Sequence, residues 1–452
     1  MKKKNDQLDF NFSRPIDFQR NLSINFLDQI LFIIDNEYKR NLIFAKHLKF
    51  LILELFYCWS ESEDQMLTVS MSKRGYLSES RYNPNKISSY LIKIIKFLKS
   101  SDFIEFYPGF YDSITLKSRL SRVKGSAKLF ELFKKIKLTE KIRVNHPKRE
   151  FVIKMDGSKR VQYSDDFETQ DVKEIMFNYN EIISKTIFDI PMFEKSYITR
   201  FDNKKILISS TGSQANFIFS GDIKNNFKID GCWWNKLDYD FLKFYEKNII
   251  VSDKPTSFIR LNNNFNDFLK KKIGIENFFR KKDLETFSNS QICSLIIKGV
   301  NSKSFKSFFR SVLSEKNKYF ESKNLSSEKI KKRIEMFIED NQPVSNYFFS
   351  EYKLHWEEFL NEVFYKLLQK CVPANIPVFM IKDKIYYSTD FSRLIKENLG
   401  KILEVLLGIK KIKLSSIECS SYNFKSRGFF SNILKSSTPL SKRYEQRIKK
   451  FK

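Results

Sequence analysis

The sequence predicts an α+β fold because it carries both long helical patterns and a clear hairpin pattern. Asn41–Trp59 has apolar residues on most faces, which indicates a buried helix. Asn375–Ser388 holds two β-rich runs on either side of a short charged tip, which indicates a β-hairpin. Helical patterns at Trp356–Gln369 and Phe391–Leu407 flank this hairpin, so we expect its strands to pack against helices.

The N-terminal third forms a separate module over residues 21–136, after an N-terminal extension over residues 1–20. Its predicted elements are the helices Phe26–Ile34, Asn41–Trp59 and Ser88–Lys99, followed by the strands Asp102–Tyr107 and Ile114–Val123. Ser88 is the predicted N-cap of the third helix, and Pro108-Gly109 is the predicted turn between the strands. Three helices followed by a two-stranded wing are the order of a winged helix.

Basic residues lie along the third helix and along the second strand of this module, and two more come just after that strand. In a winged helix the third helix enters the major groove and the wing runs along a phosphate backbone. We therefore expect the module to contact DNA. The candidate contacts are Lys93, Lys96, Lys117, Arg119, Arg122, Lys124 and Lys128. Two alternatives stay open: a winged fold used for protein contact, and a helical bundle with a hairpin of no special class.

The tip of the C-terminal hairpin carries one carboxylate, Asp383, between Lys382 and Lys384. Two paired strands can hold such a carboxylate against a metal ion or a phosphate. The plainer alternative is that Asp383 bonds its own backbone and caps the turn.

Three other segments enter the comparison, and the first two of them carry the matching residues. They are NFIFSGDIKNNFKIDGCWW at Asn216–Trp234, KNIIVSDKPTSFIRL at Lys247–Leu261 and SQICSLIIKGVNSK at Ser290–Lys303. The matching residues are Asn216, Phe217, Phe219, Lys228, Gly231, Trp233, Trp234, Asn235, Lys254, Pro255 and Thr256. With the hairpin, they resemble the palm of family A polymerases, their single-subunit RNA polymerase relatives, and polymerase-like proteins of phages, plasmids and mobile elements. The resemblance runs with gaps from Asn216 to Leu407.

This resemblance implies a palm, an antiparallel sheet with helices behind it, interrupted by a helical insertion. The strands Phe227–Gly231, Thr256–Leu261 and the hairpin Pro377–Tyr387 would then share one sheet. The implied division after the N-terminal module is a connector at 137–215, palm-like parts at 216–303 and 356–420, a helical insertion at 304–355 and a basic tail at 421–452.

The family's catalytic residues are degraded in this chain. The position of the first metal-binding Asp falls on Arg260, and a small slip brings only Leu261 or Asn262 there. The His-Asp-Ser of the family's hairpin is Lys382-Asp383-Lys384 here. Two-metal phosphoryl transfer needs at least two carboxylates, so the resemblance implies a pseudoenzyme without a resident metal. Asp383 would be catalytic, and Mg²⁺ a cofactor, only if activity survives.

In the palm-like region we therefore expect basic residues to contact nucleic acid. The candidates are Lys228, Arg260, Lys298, Lys382 and Lys384. We also expect Arg260 to form an ion pair with Asp383, because each would occupy the space where the family holds a metal.

Composition favours a polyanionic partner. The chain has 81 Lys and Arg against 53 Asp and Glu, a formal net charge of +28 over 452 residues. A Lys-biased, AT-rich genome is the competing explanation. The five cysteines are widely spaced and lack a C-x-x-C pair, no signal-peptide pattern follows MKKKNDQLDF, and no apolar run has the length of a membrane span. We expect a cytoplasmic protein that does not enter membranes.

Three hypotheses follow from these patterns. The first is a nucleic-acid-binding protein on a polymerase-like palm with degraded motifs, acting in replication or maintenance of a mobile element. The second is an active nucleotidyltransferase that uses Asp383 with Asp253 or Asp267. The third is a winged-helix replication initiator or transcription regulator. All three have DNA or RNA as partner, and the first adds other replication or mobile-element proteins.

Overall fold

The structure is a computed structural model, and it describes most of the chain. The described residues are 9–23, 25–135, 146–190, 197–199, 205–207, 214–224, 226–237, 241–242, 245–251, 255–274, 287, 289–315, 319–320, 326–341, 344–350 and 354–419. The predicted basic tail at 421–452 and the candidate ligand Asp253 lie outside them.

The described chain contains both helices and small sheets, which confirms the predicted α+β class. The helices are α1 Asp28–Ile34, α2 Leu42–Glu61, α3 Leu91–Ser100, α4 Ala127–Lys134, α5 Phe167–Lys185, α6 Phe265–Ile273, α7 Asn289–Val300, α8 Phe305–Ser314, α9 Ser327–Asp340, α10 Trp356–Cys371 and α11 Ser392–Leu407.

The strands are short and occur in both halves of the chain. They are β1 Ser13–Pro15, β2 Met66–Val69, β3 Ile104–Tyr107, β4 Phe110–Asp112, β5 Lys117–Arg119, β6 Ser121–Gly125, β7 Val152–Asp156, β8 Lys159–Val161, β9 Phe188–Asp189, β10 Tyr197–Thr199, β11 Lys205–Leu207, β12 Asn216–Phe219, β13 Phe227–Asp230, β14 Ile250–Val251, β15 Thr256–Arg260, β16 Val378–Ile381, β17 Lys384–Ser388 and β18 Ser416–Glu418.

The chain divides into two compact units. The first unit comprises Met1–Lys154, Ser158–Asp165 and Lys195–Thr211. The second comprises Met155–Gly157, Asp166–Glu194 and Gly212–Lys452.

The first unit is built on a four-stranded sheet with the order β1-β2-β6-β3. β6 is antiparallel to both of its neighbours, while β1 joins β2 in parallel. Helix α2 is buried along most of its length and packs against α1, α3 and β2. The apolar face of α3 completes this core with Leu91, Ile94, Ile95 and Leu98.

The β-ribbon after α3 in the first unit is longer than the sequence pattern predicts. The chain does not turn back at Pro108-Gly109 but continues into β4, and the reversal lies at residues 113–116 between β4 and β5. At Gly109 a Cβ atom would lie 2.4 Å from the carbonyl oxygen of Arg119, so glycine is required by the close approach of the two strands. The predicted strand Ile114–Val123 is correspondingly divided into β5 and β6.

The start of α3 also differs from the prediction. The N-cap is Tyr90, and Ser88 lies in the preceding turn. The Ser88 hydroxyl lies 3.1 Å from Nε2 of the buried His47 and accepts a hydrogen bond from the Tyr90 N–H at 3.3 Å. Ser88 is therefore engaged by α2, which explains why the helix begins later.

A buried carboxylate in α2 holds the N-terminal segment of the first unit. Glu54 is 0% exposed and accepts hydrogen bonds from Arg20 Nε at 2.7 Å and from Arg14 Nη2 at 3.3 Å. The Asp17 N–H donates to the same carboxylate at 3.0 Å. Burial by itself lowers the pKa of Arg20, but Glu54 and Asp17, with a smaller effect of Tyr57, together outweigh it and the net pKa is raised. The segment that carries β1 is thus tied to the helical core by charge.

Asp17 extends this network to Arg149. Arg149 Nη1 lies 2.8 Å from Asp17 Oδ2, and Arg20 Nη2 lies 3.6 Å from the same oxygen. Burial raises the pKa of Asp17, but the two guanidinium groups exceed this effect and bring the pKa below its usual range. Two carboxylates and three guanidinium groups therefore alternate in the interior of the first unit.

The second unit contains an antiparallel sheet with the order β16-β17-β15-β18. The hairpin β16–β17 and its neighbour β15 pair as expected. The predicted third neighbour is wrong: β13, at Phe227–Asp230, pairs with β12 in another sheet, and β18 takes the place beside β15.

Both faces of this sheet are covered. All residues of β16 and β17 are buried, as is β15 up to Ile259. Helix α10 packs on β16 and on α11, and the Tyr179 hydroxyl of α5 donates to the Val378 carbonyl at 2.8 Å. The Phe379 ring stacks on Phe188 with centroids 4.1 Å apart. The strands of the hairpin, all of them within the described chain, therefore present their side chains to the interior.

We predict that Glu54→Ala will lower the free energy of opening of α2 by about 3–5 kcal/mol, because it removes the carboxylate that pairs with Arg14 and leaves the buried Arg20 only its longer contact to Asp17. Hydrogen exchange measured on peptides from Leu42–Glu61 will report the change, with peptides from α11 as an internal reference.

The matched control is Glu37→Ala, which removes an exposed carboxylate that faces Arg40 at 2.6 Å. This change should alter the same opening free energy by about 1 kcal/mol or less. Equal effects of the two variants would contradict a structural role for the Glu54 network.

Candidate nucleic-acid interface

The exposed face of α3 carries a row of three lysines. Because the helix repeats every 3.6 residues, burial of one face places Lys93, Lys96 and Lys99 together on the other. None of these ammonium groups forms an ion pair or donates a hydrogen bond within the described chain. Lys93 lies 5.2 Å from the ring of Tyr90, and Lys99 lies 5.4 Å from that of Phe106. The row is therefore available to an anionic partner.

The β4–β5 ribbon adds one further available lysine. Lys117 is exposed at the end of β5, and no described group forms an ion pair with it. Arg119 is only partly exposed: its guanidinium lies 3.8 Å from the Phe10 ring and donates to the Pro108 carbonyl at 3.2 Å. Lys117 is thus the better candidate for phosphate contact in this ribbon.

The other basic candidates of the first unit are engaged within it. Arg122 donates to the carbonyl oxygens of Phe10 at 3.2 Å and Leu120 at 2.8 Å, and burial, with Arg119 nearby, lowers its pKa. Lys124 lies 3.7 Å from Asp64. Lys128 is exposed, but it donates to the Ser101 carbonyl at 3.2 Å and lies 4.0 Å from the Phe103 ring. These side chains are therefore held by contacts within the first unit.

In the second unit, the hairpin tip places Asp383 inside the protein and not at its surface. Lys382 has a φ of +57°, which makes the turn tight, and Asp383 is 0% exposed. Its backbone carbonyl accepts a hydrogen bond from the Leu261 N–H at 2.7 Å, which ties the tip to the end of β15. Neither carboxylate oxygen of Asp383 accepts a hydrogen bond from the described residues. The side chain thus does not cap its own turn.

Lys384 lies between two carboxylates. Its ammonium nitrogen is 3.6 Å from Asp383 Oδ1 and 3.5 Å from Glu246 Oε2. The other oxygen of Glu246 pairs with Arg260. Negative and positive groups therefore alternate along one row: Asp383, Lys384, Glu246 and Arg260.

The expected ion pair between Arg260 and Asp383 is therefore wrong. Arg260 lies directly opposite Lys384 in the pairing of β15 with β17. Two cations in facing positions repel each other, and a carboxylate between them removes that cost. Glu246 supplies this carboxylate, so the Arg260 guanidinium is satisfied without Asp383.

This arrangement does not fit the divalent metal that a polymerase palm implies. A two-metal centre needs carboxylates that converge on ions about 3.5–4 Å apart, whereas here the ammonium of Lys384 lies between the two acids. Among the residues that the structure describes, no group of three or more His, Cys, Asp or Glu side chains is placed to hold a metal ion. The residues present thus resemble a neutralised charge row more than a metal centre.

The remaining candidates of the second unit also have partners. Lys228 faces Asp230 at 3.2 Å, and Lys298 lies 3.0 Å from Glu315 and 2.8 Å from the Ser311 hydroxyl. Lys382 donates to the Asn235 carbonyl at 3.4 Å. Among the described residues, Lys228, Lys298 and Lys382 each contact a different group and do not contact one another.

Glu246 is the residue of this site that the sequence does not reveal. It stands in the segment before β14 and belongs to no motif. The one available signal is that two cations face each other across β15 and β17, which requires an acid nearby. That signal depends on knowing the register of the strands.

Comparisons with known proteins add no family to this picture. No family model, no curated protein and no solved structure matches the chain. Separately, none of the described helices combines the length and apolar character that crossing a membrane requires.

We predict that Lys384→Met will lower the opening free energy of the β16–β17 hairpin by about 3–5 kcal/mol, because it removes the cation beside the buried Asp383. Hydrogen exchange of peptides spanning Val378–Ser388 will measure the decrease. Lys382→Met, at a half-buried neighbouring lysine, is the matched control and should cost far less.

The double variant Asp383→Asn/Lys384→Met supplies the decisive comparison. If the two side chains stabilise each other, the double variant will be destabilised by less than the sum of the two single changes. Strict additivity would show that Lys384 acts independently of Asp383.

Proposed function

We propose that this protein binds duplex DNA through α3 and the β4–β5 ribbon of its first unit. The observation that carries the proposal is the row Lys93, Lys96 and Lys99, exposed and without acidic partners in the described chain, on a helix of the same unit as a ribbon that exposes Lys117. Such a surface attracts phosphates, whose contacts position a protein on DNA.

A winged-helix interpretation of the first unit supports this proposal. The elements follow the order α2, β2, α3, β3, β6, and β6 lies between β2 and β3 in the sheet. In that interpretation α3 is the recognition helix and the β4–β5 ribbon extends the wing. The row of lysines then lies on the element that meets the groove.

We predict that Lys93→Ala/Lys96→Ala/Lys117→Ala will reduce the salt dependence of DNA binding. Each phosphate interaction that a variant removes lowers the slope of log K against log salt by about 0.9 on B-form DNA. Removal of three such interactions therefore reduces the slope by about 2.7. Fluorescence anisotropy with the full chain and a labelled duplex, over a series of salt concentrations, will measure this slope.

The control removes the same charge from exposed positions that already face acids. Lys39→Ala/Arg40→Ala/Lys134→Ala deletes cations paired with Asp28, Glu37 and Glu131. This variant should keep the wild-type slope. If both triple variants change the slope equally, binding depends on total charge and not on the proposed surface.

For the second unit, we propose a non-catalytic, polymerase-like scaffold that acts in replication or maintenance of a mobile element. The resemblance of Asn216–Leu407 to palm proteins motivates this assignment, and the position of Lys384 between Asp383 and Glu246 supports the loss of metal chemistry. Other replication or mobile-element proteins are the partners that such a scaffold would hold.

We predict no primer extension by the wild-type protein with Mg²⁺ or Mn²⁺, and nearly unchanged DNA affinity in Asp383→Asn. The physical reason is that Asp383 is buried beside an ammonium group, so it neither binds a catalytic ion nor meets phosphate. The opposite result is nucleic-acid synthesis that requires Mg²⁺ and is abolished by both Asp383→Asn and Glu246→Gln. It would establish an active nucleotidyltransferase.

A replication initiator or transcription regulator is the second candidate, because the same first-unit surface would serve it. Unlike the scaffold, an initiator or regulator requires a preference for particular DNA sequences. Selection of bound duplexes from a random pool will distinguish it: a defined motif favours the initiator or regulator, and the absence of one favours the scaffold.

A further inference from the structure

The tip of the β4–β5 ribbon exposes aliphatic side chains to solvent. Ile114 is 92% exposed and Leu116 is 74% exposed. Phe110 and Tyr111 of the same ribbon, and Leu120 just after it, are also more than half exposed. Clustered exposed apolar groups at one place on a surface commonly mark a binding site.

The tip is held in a defined shape. Asp112 accepts hydrogen bonds from the N–H groups of Ile114 at 2.9 Å and Thr115 at 3.4 Å, and from the Thr115 hydroxyl. Beside it, Leu116 has a φ of +53°, in the left-handed region that leucine rarely adopts. Glycine or asparagine is the usual residue at such a position, so Leu116 stands there against the backbone preference.

The surroundings of the tip are basic. Lys117 follows Leu116 directly, and Arg119 lies opposite Phe110 in the ribbon. The single acid of the ribbon, Asp112, is occupied by the tip's own N–H and hydroxyl groups. From Leu91 to Lys135 the basic residues outnumber the acidic ones by ten to four. The tip thus presents exposed apolar side chains within a basic surface. Such a surface suits a polyanion that also has an apolar interior.

We propose that Ile114 and Leu116 form a wedge that enters the minor groove of duplex DNA, partly unstacks one base step and bends the duplex. This inference rests on the proposed DNA-binding function and adds a deformation of the DNA to it. Apolar side chains inserted between base steps from the minor groove kink DNA by about 20–90°. A pyrimidine–purine step such as TA is the preferred point of entry because it unstacks most easily.

The choice of DNA over an apolar groove on another protein follows from charge. Lys117, directly after the tip, and Arg119, further along the ribbon, suit a polyanion, whereas the apolar core of a protein interface is depleted of charge. Contact with a protein is therefore the alternative outcome of the experiment below.

The test compares the full-length wild type with Ile114→Ser/Leu116→Asn. Asparagine tolerates a positive φ, so the second change preserves the backbone of the turn. The probe is a duplex of about three helical turns with donor and acceptor dyes at its ends and 2-aminopurine at a central TA step. Energy transfer reports bending, and 2-aminopurine fluorescence reports unstacking.

We expect the wild type to raise both signals and the double variant to raise neither. The double variant should retain the wild-type salt slope, since no charge is removed. Its affinity should fall by about tenfold or less, because the apolar packing that it lacks is offset by the unstacking no longer required. Leu42→Ser, at a site 83% exposed elsewhere in the first unit, is the matched control and should behave as wild type.

Four results would overturn the proposal in distinguishable ways. Binding by the wild type without bending, or equal bending by the double variant, rejects the wedge and leaves the proposed function standing. Absence of wild-type binding rejects the proposed function itself. If the double variant instead abolishes self-association in sedimentation velocity while bending persists, the tip is a protein contact.

Discussion

A carboxylate that folding removes from water must have a cation beside it, and each unit of this protein is organised around that requirement. In the first unit, Glu54 receives Arg14 and Arg20 and so draws the N-terminal segment onto α2. In the second, Lys384 neutralises Asp383 at the turn of the central hairpin. Breaking such a pair costs more than the pair contributes, because the remaining charge stays buried. These interactions therefore constrain which residues can change.

The same requirement decides which basic residues are open to a partner. In the second unit, Arg260 and Lys384 share Glu246, and Lys298 faces Glu315. In the first unit, Arg122 and Lys124 are also engaged by neighbouring groups. Of the candidate cations in the described chain, Lys93, Lys96 and Lys117 are exposed with neither an acidic partner nor a hydrogen bond, whereas Lys128 is exposed but donates to the Ser101 carbonyl. The net charge of +28 favours a polyanionic partner, but the surface that we propose for its binding is much smaller than that charge implies.

The hairpin and the ribbon show how position changes the role of similar β-turns. At the β16–β17 turn the tip is buried and charged, so it serves the interior of its own unit. At the β4–β5 turn the tip is exposed and apolar, and hydrogen bonds to Asp112 keep it in one shape. The buried turn is unsuited to phosphate contact, whereas the exposed turn can present its apolar side chains to a partner.

The sequence by itself determined the α+β class, the main helices and the C-terminal hairpin, because periodicity and turn residues act over short distances. It did not determine the turn at residues 113–116, since the need for Gly109 arises from the close approach of the chain at Arg119–Ser121. It also misplaced the partners of Arg260 and Phe227–Asp230, which depend on the order of strands in a sheet. Only the tertiary structure brought Glu246 between Arg260 and Lys384, because ion pairs between distant segments follow from packing and leave no local pattern.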